Sequence, residues 1–121
     1  MRGALLVGCG GFAGSIARYG VNLLVARFWT PNFPLATLLV NVSGSFVLGF
    51  FATYAAGRTL DPAWRLLVST GFVGAYTTFS TFEYETERLA ETGALGWALV
   101  NVLTSVGAGY LAVRLGVILA D

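Results

Sequence analysis

The residues of this chain best suited to chemistry lie in one string, Gly71-Phe72-Val73-Gly74-Ala75-Tyr76-Thr77-Thr78-Phe79-Ser80-Thr81-Phe82, which sets glycines, hydroxyls and aromatic rings inside a hydrophobic segment. That composition favours a break in a helix. A broken helix frees backbone carbonyls, and at membrane depth these are tolerated only where protein or a cavity satisfies them. Carbonyl oxygens at such a break suit a hard cation, and with no intramembrane carboxylate near, a monovalent ion such as sodium fits better than a divalent one. Beyond the break, Phe79 and Phe82 share a helical face. Two rings so spaced either pack against a neighbour or turn their electropositive edges to an anion. Ser80 and Thr81 add hydroxyl donors beside them.

Two polar stripes accompany the string. Thr37, Asn41 and Ser45 recur every four residues and share one helix face, and Asn101 and Ser105 repeat the device later in the chain. Polar groups inside a membrane segment either join helices or line a pathway. Small residues point to close helix packing: Gly10 and Gly14 form a GxxxG pair, Gly44 and Gly49 flank the Asn41 stripe, and Gly107 and Gly109 follow Asn101. Cys9 reads as a small buried hydrophobe.

The elements that must position these groups follow from composition. Of 121 residues, 56% are hydrophobic and 11% charged, against about 25% charged in a soluble domain. With a mean hydropathy of +0.75, so short a chain cannot build a polar exterior, and a bilayer is the expected solvent. The seven basic residues are all arginine and the formal charge is +1, so nucleic acid is not an expected partner. Without histidine and with one cysteine, imidazole catalysis, disulfides and Cys/His metal sites are ruled out, and no constellation of nucleophile and base suggests an enzyme.

Crossing about 30 Å of hydrocarbon takes roughly 20 apolar residues in a helix. Four windows qualify, at about 3–27, 35–57, 63–91 and 94–118, joined by turns at Phe28 to Pro34, Arg58 to Pro62 and Glu91 to Ala94. The expected fold is a single all-α integral membrane domain over 1–121, its third helix broken near the middle and both termini on one side. Leu6-Val7-Gly8-Cys9 resembles a lipoprotein cleavage box, but the apolar run before it is too short for a signal peptide. Arg2, Arg58, Arg65 and Arg114 face one side, against Arg27, Arg88 and Arg18 towards the other. So small a positive-inside bias leaves two readings: orientation set by other features, or dual topology with antiparallel pairing.

With these residues in view, the chain resembles the Fluc or CrcB-type fluoride channels over nearly its whole length. The resemblance runs through Gly10-Gly11-Phe12-Ala13-Gly14 with Arg18-Tyr19, through Thr37 to Phe46, and most specifically through Gly71 to Phe82. It implies an antiparallel homodimer with two fluoride pores in a bacterial or archaeal cell (inner) membrane, passing cytoplasmic fluoride outward by passive electrodiffusion. It also implies one structural sodium ion at the dimer centre, held by the main-chain carbonyls of Gly74 and Thr77. Pathway roles carry over to Asn41, Phe79, Phe82, Ser80, Thr81 and Ser105, and vestibule or structural roles to Arg18 and Glu85. Ala75 stands where the family pattern has glycine and Ser43 where an aliphatic residue is common. Neither departure removes a named functional group.

Fluoride is small and tightly hydrated. Moving even a carboxylate-sized ion into low dielectric costs on the order of 20 kcal/mol, and a hydrogen bond to a charged group returns about 1.5 to 3. One Asn cannot suffice, so a chain of donors is required. The principal rival is a proton-coupled small multidrug-type exporter, which needs a titratable group within the membrane. The first two spans contain no Asp or Glu, and Glu83, Glu85 and Glu87 read as the wet end of the third.

Overall fold

The computed structural model describes the whole chain, Met1–Asp121, and every regular element in it is helical. α1 is Arg2–Phe28 and α2 is Leu35–Ala56. The third span is split: α3 runs over 62–76 and α4 is Phe79–Glu91. α5 is Leu95–Ala120 and ends two residues later than the sequence suggests. α1, α2 and α5 are each long and apolar enough to cross a membrane.

Helix ends are written in the sequence. All three prolines, Pro31, Pro34 and Pro62, lie outside helix interiors, where the missing N–H is harmless. Asp61 caps α3 by accepting from the Ala63 N–H at 2.8 Å, with Pro62 in the first turn. Asp61→Ala is expected to lower stability by about 1 kcal/mol, read as a lower thermal midpoint of the purified protein in detergent. Gly93, at φ +80, turns the chain from α4 into α5. Its N–H returns to Ala90 and that of Ala94 to Leu89, satisfying carbonyls the helix end leaves free.

Within α3, Arg65–Val73 is π-helical, a wider coil than the ordinary span the sequence suggests. Glycines bring it against α1. A Cβ on Gly10 would run into the Leu67 carbonyl, one on Gly14 into the Phe72 carbonyl, and one on Gly71 into the Val7 carbonyl. The α2–α5 crossing uses the same device, with Gly49 against the Val113 carbonyl and Gly116 against Phe46 and Phe50 backbone. Gly10, Gly14, Gly44 and Gly49 thus serve close packing as expected. Gly107 does not: no atom lies within 4 Å of its Cβ direction.

Few apolar side chains are buried, chiefly Val40, Ala55, Val73, Phe82, Leu89 and Ala98, while Phe12, Ile16, Leu103 and Leu111 are among many that face outward. Such a surface needs lipid or another chain around it. Cys9 belongs to that outer surface and is exposed, contrary to its sequence reading. The reading assumed that a small apolar residue faces the core, but in a membrane protein the outer face is equally apolar. Trp29, Phe33 and Trp97 gather at the α1–α2 loop, the Trp29 indole donating to the Phe33 carbonyl at 2.8 Å. Aromatic residues so placed mark a membrane–water boundary.

Candidate functional site

The site is built on the break. Thr77 (φ −83, ψ 158) and Thr78 (φ −152, ψ 119) are extended, so the helix ends at Tyr76, with the Thr77 N–H still donating to the Val73 carbonyl, and restarts at Phe79. The restart is capped by Thr78, whose hydroxyl accepts from the Thr81 N–H at 3.4 Å. Three backbone groups at the break find partners on α1 and α2. Asn41 Oδ1 accepts from the Thr78 N–H at 2.7 Å, and Asn41 Nδ2 donates to the Thr78 carbonyl at 2.9 Å. One side-chain amide therefore clamps both backbone groups of one residue. The Thr77 hydroxyl donates to the Val73 carbonyl at 2.9 Å, and Arg18 Nη1 donates to the Thr77 carbonyl at 3.3 Å. The Gly74 carbonyl loses the N–H four residues on, because Thr78 gives it to Asn41.

Beside the break lies a cavity of about 280 Å³, bounded by Asn41, Ser45, Thr77, Phe79, Phe82 and Ser105 with smaller and aliphatic neighbours. No charged residue lines it. The Phe79 and Phe82 rings stand 5.8 Å apart and tilted by 47°, with Phe82 buried and Phe79 72% exposed. Amide, hydroxyl and ring edge meet in one uncharged space. Such a surface can hold a small anion weakly, through partial positive charges alone.

Of the residues singled out in the sequence, Asn41, Phe79, Phe82 and Ser105 come together at this cavity, with Thr77 on its wall. Ser80 and Thr81 do not line it; both are exposed at the start of α4, and the Thr81 hydroxyl accepts from that of Thr78 at 3.0 Å. Gly74 is exposed and outside the lining. Arg18 does not reach for a helix end but turns inward to the break.

Glu85 likewise departs from its reading as part of a wet helix end. Its Oε1 accepts from the buried Thr37 hydroxyl at 3.0 Å, and its Oε2 is buried without a partner. Helical spacing already separates it from its neighbours, since Glu83 and Glu87 share a face and Glu85 lies opposite. The α2 stripe therefore faces the third span along its length: Thr37 to Glu85, Asn41 to Thr78, Ser45 to the cavity. Sequence reasoning missed two contacts. Ser43 meets the Tyr76 hydroxyl at 2.9 Å, and Asn101 reaches Thr86 on α4 at 2.9 Å. Asn101 carried a signal in its four-residue spacing from Ser105; Thr86 carried none.

Comparison with known proteins adds to this geometry. A family profile described as CrcB-like protein, Camphor Resistance (CrcB), matches residues 5–117. A protein of Acidobacterium capsulatum named Fluoride-specific ion channel FluC is 45% identical over 97% of this chain and 94% of its own. One of the same name from Chlorobaculum tepidum is 47% identical over 99% of this chain and 95% of its own. In Listeria monocytogenes, Fluoride-specific ion channel FluC 1 is 49% identical over 70% of this chain and 69% of its own. These relatives are channels by name and not enzymes, and matches of this extent leave one conclusion: the chain belongs to the CrcB-like family.

Proposed function

We propose that the chain forms a fluoride-selective channel, a multi-pass protein of a bacterial or archaeal cell (inner) membrane through which cytoplasmic fluoride leaves by passive electrodiffusion. The observation that carries this reading is the uncharged cavity of Asn41, Thr77, Phe79, Phe82 and Ser105 at the break, in a chain whose relatives are named for fluoride. An ion that must leave again needs weak contacts at several sites, and neutral donors supply them. Asn41, Phe79, Phe82 and Ser105 form the pathway, with Ser80 and Thr81 as donors near its course. Arg18 and Glu85 act as structural anchors beside it.

The working unit in this reading is an antiparallel homodimer. Its support is the near-even split of arginines between the two sides, the apolar outer surface, and a Phe79 ring left 72% exposed by its own chain. The carbonyls of Gly74 and Thr77 fit a structural sodium ion by chemistry. They are neutral oxygens, the first without its helical donor and the second free to accept once more beside Arg18. Two oxygens are too few for such an ion, and a partner copy would bring two more. When bound, sodium would supply a fixed positive charge near the anion path.

The test is efflux from liposomes holding purified protein, followed with fluoride and chloride electrodes. Fluoride is expected to leave at least about a hundredfold faster than chloride, the ratio that a difference of about 3 kcal/mol in barrier gives. Leak of fluoride no faster than from empty liposomes would sink the reading. One observation favours the exporter, the inward carboxylate of Glu85. The same liposomes separate the two, because an exporter moves its cargo only with a proton gradient and a channel needs none.

A further inference from the structure

Behind the cavity wall, polar groups form one hydrogen-bonded line from α4 to α5. The Thr86 hydroxyl donates to the Phe82 carbonyl at 2.8 Å, Asn101 Nδ2 donates to Thr86 Oγ1 at 2.9 Å, and Ser105 Oγ donates to Asn101 Oδ1 at 3.5 Å. Asn101 is 1% exposed and lies outside the cavity lining, whereas Ser105 is part of it.

The direction of each proton follows from what each group can do. A carbonyl only accepts, so Thr86 gives its single proton to Phe82 and has only lone pairs left for Asn101. The NH₂ of Asn101 must then face Thr86, which turns its oxygen towards Ser105. Ser105 also has one proton, and Asn101 draws it away from the cavity. An anion arriving there meets lone pairs until that hydroxyl turns. The Ser105 link is the longest of the three and sits at the limit of hydrogen-bond range, so it yields first.

We propose that Asn101 is a positioning residue that holds the Ser105 proton away from the cavity at rest, so that Ser105 serves an anion only by releasing Asn101. The nature of the anion rests on the fluoride reading above; the resting direction of the proton rests on the hydrogen-bond line alone. A donor with a competing acceptor at its back also lets go of its ion easily. Conduction requires that release as much as it requires binding.

Two double-mutant cycles test the proposal. The first reads thermal unfolding in detergent for Thr86→Val, Asn101→Leu and the pair. Each change also removes a bond of its own, to Phe82 or to Ser105, but the Thr86–Asn101 bond is common to both, so the paired variant is expected to fall short of the sum of the single shifts; fully additive shifts would overturn the line of protons. The second reads fluoride efflux for Ser105→Ala and Asn101→Leu. Ser105→Ala is expected to lower flux about threefold in the native protein and about tenfold with Asn101→Leu, where the Ser105 proton is free for the ion. Asn101→Leu alone is expected to lower the fluoride concentration giving half-maximal flux, a change that loosened packing would not produce. Equal losses for Ser105→Ala in both backgrounds would overturn the proposal. If Asn101→Leu does not assemble, Asn101→Thr, too short to bridge both partners, replaces it in both cycles. A native protein that passes no fluoride refutes the channel reading instead, and the first cycle then decides on the proton line.

Discussion

Asn41→Leu is expected to cut fluoride efflux by at least about thirtyfold, because it strands both the N–H and the carbonyl of Thr78, which is half-buried on the cavity wall. Leaving a buried polar group unsatisfied costs about 1 to 3 kcal/mol, so the two together cost about 2 to 6. Each 1.4 kcal/mol is about a factor of ten. The break can recover those bonds only by closing towards continuous helix, which would carry Thr77 and Phe79 away from the cavity they now line. Asn41→Asp makes a useful comparison. It keeps an acceptor for the Thr78 N–H, loses the donor to the carbonyl, and sets a negative charge beside the anion path. Both variants are expected to lose flux, while Asp melts above Leu because half the clamp survives. Efflux from liposomes and thermal midpoints in detergent give the two readouts. A leucine variant that conducts within about threefold of native, less than the worth of one hydrogen bond, would remove Asn41 from both roles.

Asn41 was legible because a four-residue period in an apolar segment has one structural meaning, a polar line down one helix face. The break was legible for a similar reason, since glycines and hydroxyls crowd together only where backbone groups need room and partners. Their joining was not legible. Asn41 and Thr78 are 37 residues apart and Arg18 and Thr77 are 59, and nothing in either local pattern names the other. The π-helical register of Arg65–Val73 left even less trace. Hydrophobic periodicity reports which side of a helix is buried, but an apolar span in lipid is apolar all round, so a change of register moves no residue from an allowed surface to a forbidden one. The same uniformity misplaced Cys9. Glu85 was misread for a different reason: its charge was grouped with Glu83 and Glu87 by proximity in sequence, whereas the helix sends it to the opposite side, onto Thr37.

The π-helical coil carries a second large expected effect. Gly14→Ala should destabilise the protein by about 3 kcal/mol, the upper end for overpacking, and Gly14→Val should prevent recovery of folded protein. The reason lies in what the new atom meets. The three atoms nearest a Cβ at Gly14 are the oxygen, carbonyl carbon and Cα of Phe72, all backbone, so no side-chain rotation can relieve the contact. Relief requires moving α1 away from the coil. Arg18 lies one helical turn beyond Gly14 on the same face, so that movement also withdraws the guanidinium from the Thr77 carbonyl and loosens the break from its α1 side. Gly20→Ala, on the same helix with no atom within 4 Å of its Cβ direction, serves as the control. It should be neutral or raise stability by up to about 1 kcal/mol, since alanine favours helix over glycine. Thermal unfolding of the purified variants in detergent decides the matter. Equal midpoints for the two alanine variants would mean that α1 does not lie against the coil, and the Arg18 anchor would fall with that contact.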